Sequence, residues 1–332
     1  MTHRALPVVD VDACLIDRSA LANCDACARG CPTGALRAKP EGLALVAELC
    51  TGCGACGAAC PARAITVGRV VPVPLTEPDR SDVVALVCPA RDPRDPAAVC
   101  VQALGLEALA TLWLRGTRRI RLDIGACTDC PNGRGADLAG PLAMLNAVLA
   151  DRGLPLMSVE ATPIRGSDRV PRLGDGPDRR RRGLFGIGAA ANDTAAPRTA
   201  LARLQGLVPG RSSRRFAWTP VLDPQTCTAC NLCLRLCPED VLTLVGGETP
   251  EPAYAIQPAG CTGCALCAAA CEDGAIRVET LLPEPDHLNL QRQVCHGCRV
   301  EFLRPAAQSQ GDGLCPICAR APHYRKLHQV LP

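Results

Sequence analysis

Cys50, Cys53, Cys56 and Cys60 follow one another with the spacing C-x2-C-x2-C-x3-C, and Pro61 stands behind the last. Three thiols at two-residue gaps on a tight loop can reach three corners of one [4Fe–4S] cubane. The fourth opens a short helical turn and points the other way, toward a neighbouring cluster. The pattern recurs at Cys227, Cys230, Cys233 and Cys237 with Pro238, and at Cys261, Cys264, Cys267 and Cys271, where Glu272 takes the proline's place. A fourth copy is altered: Cys24, Cys27, Cys31 and Pro32 are present, but Leu21 stands where the first cysteine belongs. The repetition predicts a chain that binds iron–sulfur clusters.

The totals bound what else is possible. Of 332 residues, 24 are cysteine, whereas Phe, Trp and Tyr number only three, two and two. Small modules so poor in aromatics need metal ligation for part of their folding energy. A secreted disulfide scaffold is the rival reading. Repeated short spacings favour convergent metal ligands, and the first residues have no basic segment followed by an apolar core. No apolar run reaches the ~18 residues of a membrane span, so the expected location is cytoplasmic. The net charge of +3 is uneven: residues 165–215 hold twelve arginines against four aspartates, a local +8 that leaves −5 for the rest.

The elements that must position these cysteines are short. Residues 7–70 divide into two halves, each a strand, a cysteine loop, a helical turn opened by Cys-Pro, and a second strand. Proline suits the first turn of a helix, where no amide donor is required. This segment resembles the bacterial two-[4Fe–4S] ferredoxin family, and so does the more regular segment 218–280. The resemblance implies that Cys50, Cys53, Cys56 and Cys31 hold one cluster, and that Cys24, Cys27 and Cys60 hold three corners of a second. Cys14 is the available fourth ligand, across the insertion of residues 15–23; the alternative is a three-cysteine [3Fe–4S] or labile site. In 218–280 the same carry-over puts Cys227, Cys230, Cys233 and Cys271 on a third cluster, and Cys261, Cys264, Cys267 and Cys237 on a fourth.

Between them the texture changes. Residues 71–80, with Pro72, Pro74 and Pro78, read as a linker. Residues 81–162 then alternate apolar strands (83–87, 120–124, 156–160) with helices (104–114, 136–150), which predicts a small α/β domain with a parallel sheet. Cys88, Cys100, Cys127 and Cys130 lie in its strand-to-helix connections, where side chains at the carboxyl ends of parallel strands converge. Their spacing, C-x11-C-x26-C-x2-C, resembles the thioredoxin-like [2Fe–2S] ferredoxins and the small iron–sulfur subunit of hydrogenase and heterodisulfide reductase complexes. The resemblance implies a further [2Fe–2S] or [4Fe–4S] cluster; free thiols are the plainer reading. Residues 163–217 read as a basic Pro/Gly/Arg-rich linker, either solvated or a dock for an acidic redox partner. Its run of arginines at 179–182 has no interleaved aromatics to suggest nucleic acid.

In the tail, 286–332, Cys295, Cys298, Cys315 and Cys318 form two CxxC knuckles, which predict a zinc-ribbon-like S4 site, with iron as the lesser candidate. With four thiolates closing that site, His296, His323 and His328 read as surface residues. The whole is an α+β multi-domain chain: two ferredoxin-like dicluster modules, a small α/β domain between them and the ribbon. There is no nucleotide-binding glycine loop and no recognisable catalytic triad. The expected role is an iron–sulfur electron carrier, a polyferredoxin serving a larger oxidoreductase such as a hydrogenase, formate dehydrogenase or molybdopterin enzyme. Two alternatives are an accessory factor that docks an apo-oxidoreductase, and a redox-sensing regulator.

Overall fold

Short antiparallel pairs close the N-terminal module. In the computed structural model, which describes residues 6–39, 42–67, 82–91, 98–125, 127–130, 132, 138–161, 199–207, 214–249, 251–308 and 313–320, β1 (Pro7–Val9) leads to α1 (Leu15–Arg18) and α2 (Ala26–Arg29). The hairpin of β2 (Leu36–Lys39) and β3 (Gly42–Leu45) follows, then α3 (Ala55–Ala59) and β4 (Ile65–Val67). β4 returns to pair with β1, placing Val9 opposite Ile65. Its core is small, built from Leu36, Ile65 and Val67 together with buried Cys27 and Cys56. Such a core stabilises little by burial alone, which fits a module that relies on ligated metal.

The middle domain has the expected parallel sheet. β5 (Val83–Val87), α4 (Leu106–Leu114), β6 (Arg119–Asp123), α5 (Ala139–Asp151) and β7 (Ser158–Ala161) alternate, and the strands lie in the order β5-β6-β7. Val83 pairs with Arg119 and Arg119 with Ser158, both in parallel register. Parallel neighbours need a crossover, and the helices supply it. Leu86, Leu109, Ile120, Leu145 and Leu149 are fully enclosed, so this domain carries the principal apolar core.

A correction concerns the segment expected to be a basic linker. Residues 71–80, the arginines at 179–182, and His323 and His328 lie outside the described residues. Residues 199–207 are described, and they fold. α6 (Ala200–Gly206) packs Leu201 and Leu204 into the α/β core. Thr199 caps it, its hydroxyl accepting from the Ala202 amide at 2.9 Å. The Glu107 carboxylate accepts from the amides of Ala200 and Leu201. A capping threonine with apolar residues three apart is a legible helix signal, which the surrounding arginine-rich composition conceals.

The second ferredoxin-type module repeats the first and is larger. It comprises β8 (Arg215–Leu222), α7 (Leu232–Leu236), β9 (Leu242–Val245), β10 (Ala253–Ile256), α8 (Leu266–Ala269) and β11 (Ile276–Pro283). β8 pairs with β11 from Leu222↔Ile276 to Arg215↔Pro283. The tail is built onto this module: β12 (Leu288–Val294) and β13 (Glu301–Pro305) extend the β9–β10 hairpin into one sheet of order β13-β12-β10-β9, followed by α9 (Pro316–Arg320).

Buried Arg152 ties the middle domain to the second module. It donates to the carbonyls of Val148 and Arg215 at 3.0 Å and twice to that of Gln205, at 3.1 and 3.2 Å. Its charge thus sits against carbonyls at the ends of α5 and α6, where a cation is favoured.

Candidate metal centres

Backbone geometry repeats around the cysteines and shows which half of which module is irregular. Three residues after each fourth cysteine the chain turns left-handed in all four halves, at Gly34, Arg63, Asp240 and Gly274. In three halves the loop does the same two residues after the first cysteine, at Gly52, Ala229 and Gly263, and one residue after the second, at Gly54, Asn231 and Ala265. In the remaining half Asp25 follows Cys24 with φ of −127°. Side chains rarely adopt positive φ, so Ala229 and Ala265 are held in strain by their surroundings. At Gly263 a Cβ would also meet the Trp218 ring at 2.6 Å.

These turns bring the cysteines together in crossed sets. Cys31 shares a cavity with Cys50, Cys53 and Cys56; Cys237 shares another with Cys261, Cys264 and Cys267. In the second module, burial pushes the Cys233 thiol up to about 12, and the charges of Cys227, Cys230 and Cys271 add to that. In the first, burial pushes Cys27 up to about 11, helped by Cys60, Cys24 and Cys14. Like charges crowded in apolar surroundings ask for a cation between them. Backbone amides already face some sulfurs: Ala229 N–H to Cys227 Sγ at 3.4 Å, Val241 to Cys237 at 3.3 Å and Ala275 to Cys271 at 3.2 Å. For Cys31, burial raises the pKa but hydrogen bonds from the Leu36 backbone and from Thr33 outweigh it and bring it down. Beside that set the buried Thr51 hydroxyl has no hydrogen-bond partner, leaving it a donor for an acceptor in the cavity. The donor sets and this orphaned hydroxyl fit clusters of iron and sulfide.

Cys14 stands where a first cysteine stands in the regular module. Its amide donates to the Asp10 carbonyl at 2.9 Å, as that of Cys227 does to Asp223 at 3.0 Å. The Asp10 amide in turn donates to Ala64, as that of Asp223 does to Ala275. Each aspartate carboxylate accepts an amide two residues on, making the same turn. The shared Asp-x3-Cys pattern is visible in the sequence. The insertion after Cys14 forms α1 and carries Leu21 past the loop; Leu21 is half exposed.

In the middle domain the buried Cys88 follows β5, Cys100 precedes a helical turn at Val101–Ala103, and Cys127 opens the turn Cys127–Asp129, which Cys130 closes by donating its amide to the Cys127 carbonyl at 3.3 Å. Burial pushes Cys100 up to about 11, with contributions from Cys53, Cys88 and Cys130. Asn132 Nδ2 approaches Cys100 Sγ at 3.8 Å. Cys88 and the Cys127–Cys130 pair thus follow the carboxyl ends of the neighbouring parallel strands β5 and β6.

The tail differs in scale. All four sulfurs of Cys295, Cys298, Cys315 and Cys318 lie within 4.8 Å of one another, and Cys298 and Cys315 are 3.8 Å apart. A tetrahedral zinc with sulfur at ~2.3 Å requires sulfurs ~3.8 Å apart, so the spacing fits a single ion. Burial raises Cys295, but amides of Cys315, Cys298 and Gly297 outweigh it and bring the thiol down to about 6. Phe302 and Leu314 cover the buried side. His296 is exposed, as expected.

Sequence reasoning missed several supporting residues. Enclosed Tyr254 donates to the Asn231 side chain, steadying the left-handed loop beside Cys230. Glu272, which weakens the helix-start pattern, pairs with Arg320 at 2.9 Å, and Asp273 with the same arginine at 2.6 Å. Gln308 reaches the carbonyls of Pro224, Gln225 and Cys227. The tail is thereby fastened beside the Cys227 loop.

Residues 22–64 and 226–275 each match the family model of the 4Fe-4S dicluster domain. Two such domains imply [4Fe–4S] clusters and support an iron–sulfur electron-transfer role. No curated protein matches the chain. Among the described residues no helix is long and apolar enough to cross a membrane.

Proposed function

We propose that the chain is an electron-transfer polyferredoxin working with a larger oxidoreductase. The observation that carries this is the crossed gathering of cysteines in both dicluster domains. A [4Fe–4S] cluster bound by such a set gives or takes one electron at a time. The sets are Cys31, Cys50, Cys53 and Cys56; Cys14, Cys24, Cys27 and Cys60; Cys237, Cys261, Cys264 and Cys267; and Cys227, Cys230, Cys233 and Cys271. Cys88, Cys100, Cys127 and Cys130 would hold one further cluster, and the tail cysteines a structural zinc. The residues around the sets bury part of each and aim amides at sulfur, which tunes potential rather than performing bond chemistry. So many thiolate ligands suit a reducing, cytoplasmic setting.

Metal and sulfide analysis of anaerobically purified protein, with EPR of the reduced form, tests the reading. About eighteen to twenty irons with one zinc support all the sets; about sixteen remove the middle one; a [3Fe–4S] signal with about one iron fewer, or about four irons fewer with no signal from that set, removes Cys14. Iron far below that, or a reduced protein that passes no electrons to a one-electron acceptor, would overturn the carrier reading.

A further inference from the structure

Sequence order places the α/β domain between the two dicluster modules, but the cysteine sets meet in a different order. α3 bears Cys56 and packs on the turn Val101–Ala103, which Cys100 precedes. The approach is close enough that a Cβ on Gly105 would lie 2.6 Å from the Ala58 carbonyl oxygen. The α/β set therefore meets the first module at Cys100. The thiolates of Cys100 and Cys53 are near enough for their charges to interact.

The other side of the first module meets the second. Arg63, three residues after Cys60, pairs with Glu239, two residues after Cys237, at 3.1 Å, and the glutamate side chain is only 11% exposed. Cys60 and Cys261 line one cleft of about 380 Å³, with Ala26, Thr262 and Gly263. Burial raises the Cys264 pKa, and the charge of Cys24 across this junction adds a little to it. Within the modules, Cys56 packs in one core with Cys27, and Cys267 in another with Cys233. The α/β domain also touches the second module directly, through α5 against β8 and β11 and through α6 against the turn Pro258–Gly260 that leads into Cys261, but neither α5 nor α6 carries a cysteine of the α/β set.

Resting on the carrier reading above, we propose that the five cysteine sets form one unbranched electron path with the N-terminal module in its middle. It runs from Cys88/Cys100/Cys127/Cys130 to Cys31/Cys50/Cys53/Cys56, then Cys14/Cys24/Cys27/Cys60, then Cys237/Cys261/Cys264/Cys267, and ends at Cys227/Cys230/Cys233/Cys271. Cys230 is exposed, which makes this last set the outlet toward a partner. One electron entering at either end leaves at the other, with no proton or bond change required.

The test removes one set at a time from the full chain and reads the neighbours by EPR after dithionite reduction. Cys27→Ser should remove the part of the spin–spin splitting that this set contributes to both the Cys31 and the Cys237 signals and slow their relaxation, while the splitting from the outer sets at Cys100 and Cys227 remains. Cys88→Ser with Cys127→Ser should change only the Cys31 set. If Cys27→Ser leaves the Cys237 set relaxing as in the intact protein, or if loss of the α/β set alters the second module first, the order is wrong. Should Cys27→Ser lose iron from several sets, Glu239→Arg carries the test with all ligands intact. Loss of coupling between modules, regained in the Arg63→Glu/Glu239→Arg double variant, supports the path; unchanged coupling in Glu239→Arg overturns it. Full iron content with the wrong neighbours sinks the order alone, whereas missing iron sinks the carrier reading.

Discussion

Replacing the sulfur of Cys14 by oxygen leaves the Asp10 turn intact and removes one soft donor. Cys14→Ser should therefore lower the iron content by about one to four atoms per chain, or convert one signal to the [3Fe–4S] type, without unfolding the module. Unchanged iron and an unchanged spectrum would remove Cys14 from the ligand set. The buried thiols also predict a pH dependence. Burial pushes Cys27 up to about 11 and Cys56 and Cys267 up to about 12, from an ordinary 9.0. In the metal-free chain these thiols keep their protons when folded, while the unfolded chain releases them above 9.0. Stability is thus fully present below that pH and is lost as pH rises toward 12. Thermal melting of metal-free protein between about pH 8 and 11 checks this, and a midpoint that climbs with pH contradicts it. The metal-loaded protein is sensitive in the opposite direction, because acid competes with the metal for thiolates.

At the level of elements, stability is concentrated in a few joints. Arg152 is 5% exposed and satisfies three carbonyls from α5, α6 and β8. Arg152→Met keeps the bulk but leaves those oxygens without a donor, and should cost about 2–4 kcal/mol, read as a lower melting temperature. An unchanged melt would mean that water replaces the guanidinium freely. The cap on α6 is a milder case: Thr199→Ala should cost about 1 kcal/mol. The exposed ion pairs of Arg320 with Glu272 and Asp273 contribute less, since solvent screens them.

For the whole molecule, the metal proposed for the tail and the clusters should separate experimentally. The tail thiols form their own compact set, and the tail is held to the second module by sheet pairing and by Gln308 as well. Cys298→Ala should release the single tail metal while the iron content is retained. Loss of iron together with zinc would show instead that the ribbon's fold maintains the Cys227 loop.

Spacing marked the cysteine loops inside the two segments that match the dicluster model, because three thiols on one short loop are held together by local covalent reach; the fourth, crossed cysteine of each set comes from another loop. The alternation of strands and helices in the middle domain was likewise readable, since buried strands and amphipathic helices write their periods locally. The Asp-x3-Cys turn at Cys14 was present in the residues but hidden by the inserted α1. Tertiary structure alone decided the rest. It folded residues 199–207 into the α/β core, paired the tail's hairpin with β10, and set the N-terminal module against both the Val101–Ala103 turn and the second module. Each depends on contacts between residues far apart in the chain, such as Glu107 with Ala200, Arg152 with Arg215, and Arg63 with Glu239. Long-range pairs of this kind leave no period or spacing in a single sequence.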